Sequence, residues 1–319
     1  MDERLLTAAI VIIGVPAALV GYVLLIETAL RFVPARVAPR LRPMLWLLPA
    51  LTFLGVFLVY PTIDTIRRSL MDRFSEEWVG FANYEYFFTS GETLGALANN
   101  ILWIVFLTAG SVGLGLLVAV LVDRVRYESV IKAVIFLPMA ISFVAAGVIW
   151  RFMYDFRAES GTLNAIVTAF GFEPIGWLSG WPLNTILLIV VGIWMQVGFA
   201  MVILSAGLKG ISTELLEAAR VDGATEVQVF RRITFPLLLP TVAVISTTVI
   251  IIALKAFDIV YIMTNGNFGS EVLANRMYKE LFNFSQFGRG SAVAVILFIA
   301  IVPVMLFNIK RFREQEAIR

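Results

Sequence analysis

The sequence contains neither cysteine nor histidine among its 319 residues. Without cysteine the chain can form no disulfide framework and no thiolate metal site. Without histidine it lacks the commonest general base and the commonest metal ligand. Only 15% of the residues are charged and the formal net charge is +2, so no strong attraction to nucleic acid follows. These absences weigh against a metalloenzyme, a disulfide-stabilised domain and a nucleic-acid-binding protein.

Apolar residues, by contrast, are abundant. They make up 60% of the chain, against about 45–50% in an average soluble domain, and the mean hydropathy is +0.89. Apolar runs of about 18 or more residues are typical of transmembrane helices. The chain has seven such runs: Leu5–Ile26, Met44–Ile63, Leu97–Leu121, Ile131–Trp150, Leu183–Ser205, Leu237–Leu254 and Ala292–Ile309. A β-barrel would need shorter segments of alternating polarity, so the predicted fold class is an all-α polytopic membrane protein.

The first apolar run, Leu5–Ile26, is predicted to be a retained transmembrane helix. It has 22 residues, whereas the apolar core of a signal peptide has roughly 7–15, and the MDER segment before it is not basic. Three prolines punctuate the linker that follows: Pro34, Pro39 and Pro43. We therefore divide the chain into an extra N-terminal transmembrane helix with a basic cytoplasmic linker, residues 1–43, and a six-helix domain, residues 44–319.

Lysine and arginine are unevenly distributed between the runs. One short loop has four arginines and no acidic residue: Arg31, Arg36, Arg40 and Arg42. A second basic cluster follows the last run: Lys310, Arg311 and Arg313. Since basic residues concentrate in short cytoplasmic loops, these two segments and the loop 206–236 are predicted to be cytoplasmic. With seven spans, the C-terminus is then cytoplasmic and the N-terminus lies outside.

A polar stretch reading EAARVDGATEVQVFRRITFPLLLP separates two of the long apolar runs. It is predicted to fold as two short helices joined by a hinge at Gly223, since glycine tolerates left-handed backbone angles. Ser212 can cap the first helix, and Thr225 with Gln228 fits a capping box for the second. Pro236 is expected to end the second helix. The alternative is a solvated connector with no further role.

This stretch resembles the cytoplasmic loop of permease subunits in binding-protein-dependent ABC importers. The residues that match the family pattern are Glu217, Ala218, Ala219, Asp222, Gly223, Ala224, Ile233 and Pro236. One departure is Phe235, where the family usually has leucine. The resemblance implies an ATPase-coupling role. In the family this loop sits in a cleft of a cytoplasmic ATPase, where small alanines allow close approach and the glutamate is thought to pair with a basic group.

The resemblance also implies how the energy is supplied. The chain has no GxxxxGK[ST] phosphate-binding loop, so it is expected to be a transporter subunit without a cofactor, with ATP and Mg²⁺ bound by a partner ATPase. The implied partners are a second, different permease subunit, two copies of the ABC ATPase and an extracytoplasmic solute-binding protein, in a bacterial or archaeal cytoplasmic membrane. A secondary transporter would often show repeated halves and embedded carboxylates, and neither is found.

A second resemblance covers the segment AFDIVYIMTNGNFGSEVLANRMYKELFNFSQFGRGSA, which is similar to maltose-type carbohydrate importer permeases. The matching positions are Phe257, Asp258, Met263, Thr264, Gly266, Tyr278, Phe282, Gly288, Ser291 and Ala292. The family's usual Gly-Gly-Pro is replaced here by a turn reading NGNFG, which looks most like alpha-glucoside and glucosylglycerol permeases. The implied function is import of an alpha-glucoside or related oligosaccharide. Another small solute, such as glycerol phosphate or a polyamine, is the alternative.

Four side chains on the runs that flank the loop are candidates for the substrate path. Gln196 and Phe199 combine a hydroxyl-binding amide with an aromatic ring, as sugar sites do. Lys255 and Asp258 are three positions apart, which places them on one face of a helix, and charges in a membrane usually face a cavity or a partner. We expect Gln196 or Phe199 at a central cavity and the charged pair toward its outer end. Interhelical packing and a structural salt bridge are the alternatives.

Two further pairs lie in the run Leu97–Leu121. Asn99 and Asn100, near its start, are interpreted as helix caps. Gly113 and Gly115 are interpreted as positions where a second helix packs closely.

Overall fold

The computed structural model describes residues 3–34, 36–123 and 125–316, and in these ranges the chain is helical, without a β-strand. Long apolar stretches form helices because a helix satisfies its own backbone hydrogen bonds in lipid. The helices are α1 (Glu3–Leu30), α2 (Ala38–Arg68), α3 (Ala82–Thr89), α4 (Gly91–Val122), α5 (Glu128–Ala140), α6 (Phe143–Met153), α7 (Thr162–Ala169), α8 (Leu183–Lys209), α9 (Thr213–Val221), α10 (Glu226–Leu254), α11 (Asp258–Met263), α12 (Leu273–Tyr278) and α13 (Phe287–Glu316).

Six helices of the described ranges are long and apolar enough to cross a membrane: α1, α2, α4, α8, α10 and α13. The bent pair formed by α5 and α6 adds a seventh crossing if it counts as one span. The predicted fold class, an all-α membrane protein with a six-helix core and one additional N-terminal helix, is confirmed.

The fourth predicted span, Ile131–Trp150, is not a single helix. α5 and α6 meet at 98° across a short break. Pro138 lies in the 3-10 turn Leu137–Ala140 that ends α5, and a proline has no N–H to continue the helical ladder. Ser142 then caps α6 by accepting a hydrogen bond from the Ala145 N–H at 3.2 Å. Pro138 and Ser142 therefore explain the break locally. It was not predicted because the run Ile131–Trp150 is apolar throughout.

The first of two compact units comprises residues 1–64. In it, α1 and α2 are joined by Glu27, whose carboxylate accepts hydrogen bonds from Arg42 Nη2 at 3.0 Å and Trp46 Nε1 at 3.1 Å. Most of the large apolar side chains described on the two helices are exposed in the isolated chain. This is the surface expected of helices that face lipid or another membrane helix.

The second compact unit, residues 65–319, is built around α8, which packs against α4, α5 and α10. The contact with α4 is close because both helices carry small residues there. A Cβ on Gly115 would lie 2.7 Å from the Cβ of Ala200. Close packing at Gly115 is thus confirmed, whereas the same interpretation of Gly113 is wrong, since a Cβ there would meet nothing within 4 Å.

The interpretation of Asn99 and Asn100 as helix caps is also wrong. α4 begins at Gly91, well before them, and both side chains are buried and bond to the stretch from Gly269 to Leu273, the first residue of α12. Asn99 Nδ2 donates to the carbonyls of Gly269 and Glu271 at 2.7 and 2.8 Å, and Asn100 Oδ1 accepts from the Leu273 N–H at 2.7 Å. Buried amides need such partners, and here they hold an irregular segment against α4.

Candidate functional site

The hinge of the two-helix loop lies at Gly223, between α9 and α10. Its φ is +84°, in the left-handed region. The Gly223 N–H donates to the Arg220 carbonyl and the Ala224 N–H to the Ala219 carbonyl, both at 3.0 Å. This pair of bonds is the Schellman arrangement, in which a left-handed residue ends a helix. The conformation predicted for Gly223 is confirmed.

The two loop helices differ in how their amino ends are capped. For α10, Thr225 Oγ1 accepts from the Gln228 N–H at 3.4 Å, and Gln228 Oε1 accepts from the Thr225 N–H at 2.8 Å. The predicted capping box is therefore confirmed. Ser212 stands at the N-cap position of α9, but its side chain makes no capping hydrogen bond, so the predicted cap is wrong.

Pro236 does not end the second helix, contrary to the prediction. α10 continues through it, and the π-helical turn Phe230–Thr234 comes immediately before. In this wider turn the Phe235 N–H donates to the Phe230 carbonyl, five residues back. The wider turn changes the hydrogen-bonding pattern just before Pro236, so the helix can continue through a residue that has no N–H to donate. Ile233 is half-buried within the turn, and the loop passes into a membrane span without a break.

An ion pair joins the two loop helices across the hinge. Arg220 Nε and Nη2 lie 2.7 and 3.1 Å from the carboxylate oxygens of Glu226. The hydrogen bond to Glu226 and the negative charge of Glu226 raise the pKa of the Arg220 guanidinium. The pair is solvent-exposed and therefore weak by itself, but its bidentate geometry favours one angle between α9 and α10. Sequence patterns did not indicate it, because the partners lie on opposite sides of a turn.

The motif residues of α9 face outward. Glu217, Ala218 and Asp222 are exposed, and Ala219 is half-buried. Val221 beside them is 87% exposed, which is unusual for a large apolar side chain. The matched residues of α9 therefore lie on the accessible surface of the loop.

The end of α8 that leads into the loop is tied to α5. Glu128, in the first turn of α5, lies 2.5 Å from Lys132 Nζ and 2.6 Å from Lys209 Nζ. Lys132 Nζ also contacts Ser205 Oγ on α8. The three charged groups hold the start of α5 against the last turns of α8 on the side where the loop begins.

A cavity of about 250 Å³ lies among α4, α6, α8 and α10, beside the residues that follow α10. Three of its lining residues are polar: Gln196, Lys255 and Asp258. Three others are aromatic: Trp103, Phe143 and Phe257. A small number of polar groups among aromatic faces is the usual lining of a site for a small organic molecule. We refer to this space as the α4–α8 cavity.

A second cavity, of about 320 Å³, lies next to the first. Gln196 and Phe143 line both, and Phe199 lines the second. Gln196 is 6% exposed, yet no described side chain or backbone group bonds to its amide. Both sequence-predicted residues on α8 therefore border open space. Their role in solute passage stays a prediction.

Lys255 and Asp258 do not lie on one helix face, contrary to the prediction. α10 ends at Leu254, and α11 begins at Asp258 after an irregular Phe257 with φ −143° and ψ −63°. Within the described part of the chain, neither charge forms an ion pair with the other or with any third residue. The break lets both residues line the α4–α8 cavity separately, and the alternative of a structural salt bridge between them is wrong for the described residues.

Sequence reasoning missed Trp103, which lines the same cavity at the start of the π-helical turn Trp103–Leu107 of α4. A tryptophan in an apolar run gives no signal that separates lining from packing. Gly192 on α8 makes room for it, since a Cβ there would be 3.0 Å from Trp103 Cζ3. Among the described residues, no group of three acidic side chains could hold a metal ion.

Helices that cross a membrane, an exposed two-helix loop and an internal cavity together define a multi-pass transport component. The family described as binding-protein-dependent transport system inner membrane component matches residues 111–312. The chain belongs to this family and is therefore an inner-membrane permease subunit of an ABC importer.

Similar proteins agree with this assignment. The chain is 52% identical over 279 residues to the osmoprotective compounds uptake permease protein GgtC of Synechocystis sp., covering 86% of this chain and 100% of GgtC. It is 46% identical over 286 residues to the alpha-glucoside transport system permease protein AglF of Rhizobium meliloti, covering 88% and 85%. The crystal structure of a bacterial alginate ABC transporter shares the fold, with a TM-score of 0.74 at 20% identity over 86% of this chain and 94% of that one.

Proposed function

We propose that this permease carries a neutral carbohydrate, an alpha-glucoside or a related small glycoside, across the membrane. The lining of the α4–α8 cavity supports this most directly, because Gln196 can bond hydroxyl groups while Phe143 and Phe257 offer faces to the apolar side of a sugar ring. The names of the relatives agree: AglF is an alpha-glucoside permease, and GgtC takes up osmoprotective compounds.

The proposed machine has four kinds of part. This chain forms half of the pore, and a second, different permease forms the other half. Two copies of a cytoplasmic ATPase bind ATP and Mg²⁺, so this chain needs no cofactor, and an external binding protein delivers the solute. The exposed acidic and apolar surface around Glu217 and Val221 supports an ATPase docking at α9.

Continuity of α10 supports a mechanical link between loop and cavity. The helix runs from Glu226 in the loop to Leu254, and the next residue, Lys255, lines the cavity. At 1.5 Å per residue its 29 residues span about 44 Å. A helix without a break transmits a displacement of the loop to the cavity wall. ATP-driven movement at α9 would in this way alternate the exposure of the solute site.

Transport by the assembled importer tests the carbohydrate assignment. Membrane vesicles containing the complex and its binding protein receive ¹⁴C-labelled maltose, sucrose, trehalose or glucosylglycerol with ATP inside. We expect ATP-dependent uptake of at least one of these sugars. Uptake of none, in a complex that hydrolyses ATP when its binding protein is added, would reject the carbohydrate proposal.

One feature favours a second candidate solute class. Lys255 lines the cavity without an ion-pair partner among the described residues, although Asp258 lines the same cavity, and an unpaired ammonium is the group that would bind an anion. The same vesicles are therefore given ¹⁴C-labelled glycerol phosphate. Uptake of this anion in preference to the sugars would replace the neutral-solute proposal.

Gln196→Ala is expected to slow uptake of the transported sugar by about threefold to tenfold. The substitution removes one amide–hydroxyl bond, worth about 0.5–1.5 kcal/mol net. Initial rates at saturating binding protein measure the effect, and recovery of the full complex after purification controls for assembly. Phe106→Ala, at an exposed side chain of α4 that lines neither cavity, is the matched comparison. Equal rates for Gln196→Ala and wild type would remove Gln196 from the path.

The predicted orientation is tested by labelling, because the chain has no cysteine of its own. Ser212→Cys and Ser160→Cys replace exposed serines in the loop before α9 and the loop before α7. We expect a membrane-impermeant maleimide to label position 160 from outside and position 212 only after the membrane is opened. Labelling of position 212 in intact cells would reverse the orientation and exclude an ATPase contact at α9.

A further inference from the structure

A third cavity, of about 300 Å³, lies at the carboxyl end of α6, among the residues that follow this helix. We call it the Tyr154 pocket, and the side chains of its lining that matter below are Arg151, Tyr154, Asp155, Arg157, Trp177 and Ser179. The α4–α8 cavity borders Phe143, at the opposite end of α6. α6 has 11 residues, so the two ends are about 16 Å apart along the helix axis. The Tyr154 pocket is therefore a separate space.

The hydroxyl of Tyr154 is the observation that points to a ligand. The side chain is 4% exposed, and no described group forms a hydrogen bond with its hydroxyl. The neighbouring ring of Trp150 packs against it, with 5.3 Å between the ring centroids. The hydroxyl oxygen is nevertheless accessible and not enclosed by protein, and the open space that Tyr154 borders is this pocket. Nearly buried hydroxyls need a partner, so we expect a ligand group to supply it.

The walls of the Tyr154 pocket are joined by one buried amide. Asn164 Nδ2 donates to the carbonyls of Asp155 and Ile175, both at 2.9 Å, and Asn164 Oδ1 accepts from the Ile175 N–H at 2.8 Å. These bonds connect the residues after α6 to the segment that carries Trp177 and Ser179. The pocket is thus formed before a ligand arrives, which lowers the entropic cost of binding.

Charges of both signs line the Tyr154 pocket. Arg151 Nη1 donates to the Ile262 carbonyl at 3.3 Å, and no described group bonds to the other N–H groups of Arg151. Asp155 Oδ2 lies 3.4 Å from Arg157 Nη2. A carboxylate on the ligand would be repelled by Asp155, whereas a hydroxyl can accept from a guanidinium and donate to a carboxylate. The lining therefore favours a neutral ligand that is rich in hydroxyl groups.

We propose that the Tyr154 pocket is a second solute subsite, which binds one hydroxylated ring of the transported carbohydrate outside the α4–α8 cavity. The proposal rests on the proposed carbohydrate function and on the predicted outside location of residues 151–182. Tyr154 and Ser179 supply hydroxyl groups, Arg151 supplies N–H donors, and Trp177 supplies an aromatic side chain for a sugar ring. A solute released by the binding protein would bind here before it reaches the α4–α8 cavity.

Cysteine protection tests the subsite directly, because the chain has no cysteine of its own. Ser179→Cys places a thiol in the pocket wall, and Ser160→Cys places one at an exposed position outside the lining. The purified importer, without its binding protein, is treated with a maleimide while the transported sugar is titrated through the millimolar range. We expect the sugar to slow labelling at position 179 by at least about threefold and to leave position 160 unchanged. Equal labelling of position 179 with and without sugar would overturn the proposal.

The role of the Tyr154 hydroxyl is tested in the same Ser179→Cys protein. Tyr154→Phe keeps the ring and removes the hydroxyl, so the sugar concentration that gives half-maximal protection should rise about threefold to tenfold. Tyr127→Phe, at an exposed tyrosine outside the lining, is the matched control and should leave this concentration unchanged. An unchanged value in Tyr154→Phe would mean that the hydroxyl bonds only to water, and would remove Tyr154 from the subsite. If Tyr154→Phe does not assemble, protection of position 179 decides alone.

Two further outcomes separate the causes of failure. Protection of position 179 by glycerol phosphate, but not by the sugar, would make the pocket an anion site and overturn the proposal. If the vesicles take up no labelled sugar, the carbohydrate function has failed, and the subsite proposal falls with it. A sugar that is transported but does not protect position 179 rejects the subsite alone.

Discussion

Gly223→Val is expected to reduce transport by at least about tenfold while the permease remains in the membrane. Gly223 has a φ of +84° and closes the Schellman turn between α9 and α10. A left-handed conformation costs an ordinary residue roughly 1–2 kcal/mol, and a β-branched one more. The turn would open, and α9 would present Glu217 and Ala218 at a different angle to its partner. Sugar uptake and solute-stimulated ATP hydrolysis are measured together, with immunoblots of the membrane fraction.

The matched control for this prediction is Gly223→Asn. Asparagine adds a side chain but adopts the left-handed region more readily than other residues. A Cβ at Gly223 would meet nothing within 4 Å, so steric contact does not separate the two variants. Gly223→Asn should keep most of the transport rate. Equal loss in both variants would place the effect in side-chain volume at the docking surface, and full activity in both would make the loop a connector only.

The parts of this loop that the sequence predicts are those with a local cause. The capping box needs only Thr225 and Gln228 at the right spacing, and the left-handed hinge needs only a glycine after a helical segment. Pro236 was misjudged for the opposite reason. Its effect depends on whether the preceding turn can widen, and the π-helical turn Phe230–Thr234 cannot be seen in a pattern of residue types.

Only some of the residues that line the candidate cavity could be predicted from the sequence. Gln196 was predicted because an amide is rare in an apolar span. Lys255 and Asp258 were predicted because charged residues are rare there. Their spacing suggested a pair on one helix, yet α10 ends at Leu254, before both of them, and α11 begins at Asp258, so the two residues line the cavity without pairing with each other. The position of Trp103 in the cavity lining could not be predicted, because it depends on packing against Gly192, a residue distant in sequence. Contacts between distant segments of the chain are not visible in a local residue pattern.

Glu280→Ala is expected to destabilise the segment between α11 and α13 more than any exposed charge removal in the protein. Glu280 is 1% exposed and lies 2.6 Å from Arg276 Nη2, whose side chain is itself 8% exposed. Without Glu280 the buried guanidinium keeps only the exposed Glu92 and the Tyr86 hydroxyl as partners, and losing the buried member of an ion pair costs roughly 3–5 kcal/mol. The apparent melting temperature of the purified permease should fall by about 6 °C or more.

Glu92 provides the matched control on the same guanidinium. It contacts Arg276 Nη1, but its side chain is 70% exposed. An exposed ion pair contributes about 0–1 kcal/mol, so Glu92→Ala should change the melting temperature by no more than about 2 °C. Replacing both Arg276 and Glu280 by leucine should recover much of the loss, because no uncompensated buried charge remains. Equal melting temperatures for Glu280→Ala and Glu92→Ala would show that burial does not set the strength of this pair, and that Arg276 reaches solvent when its inner partner is removed.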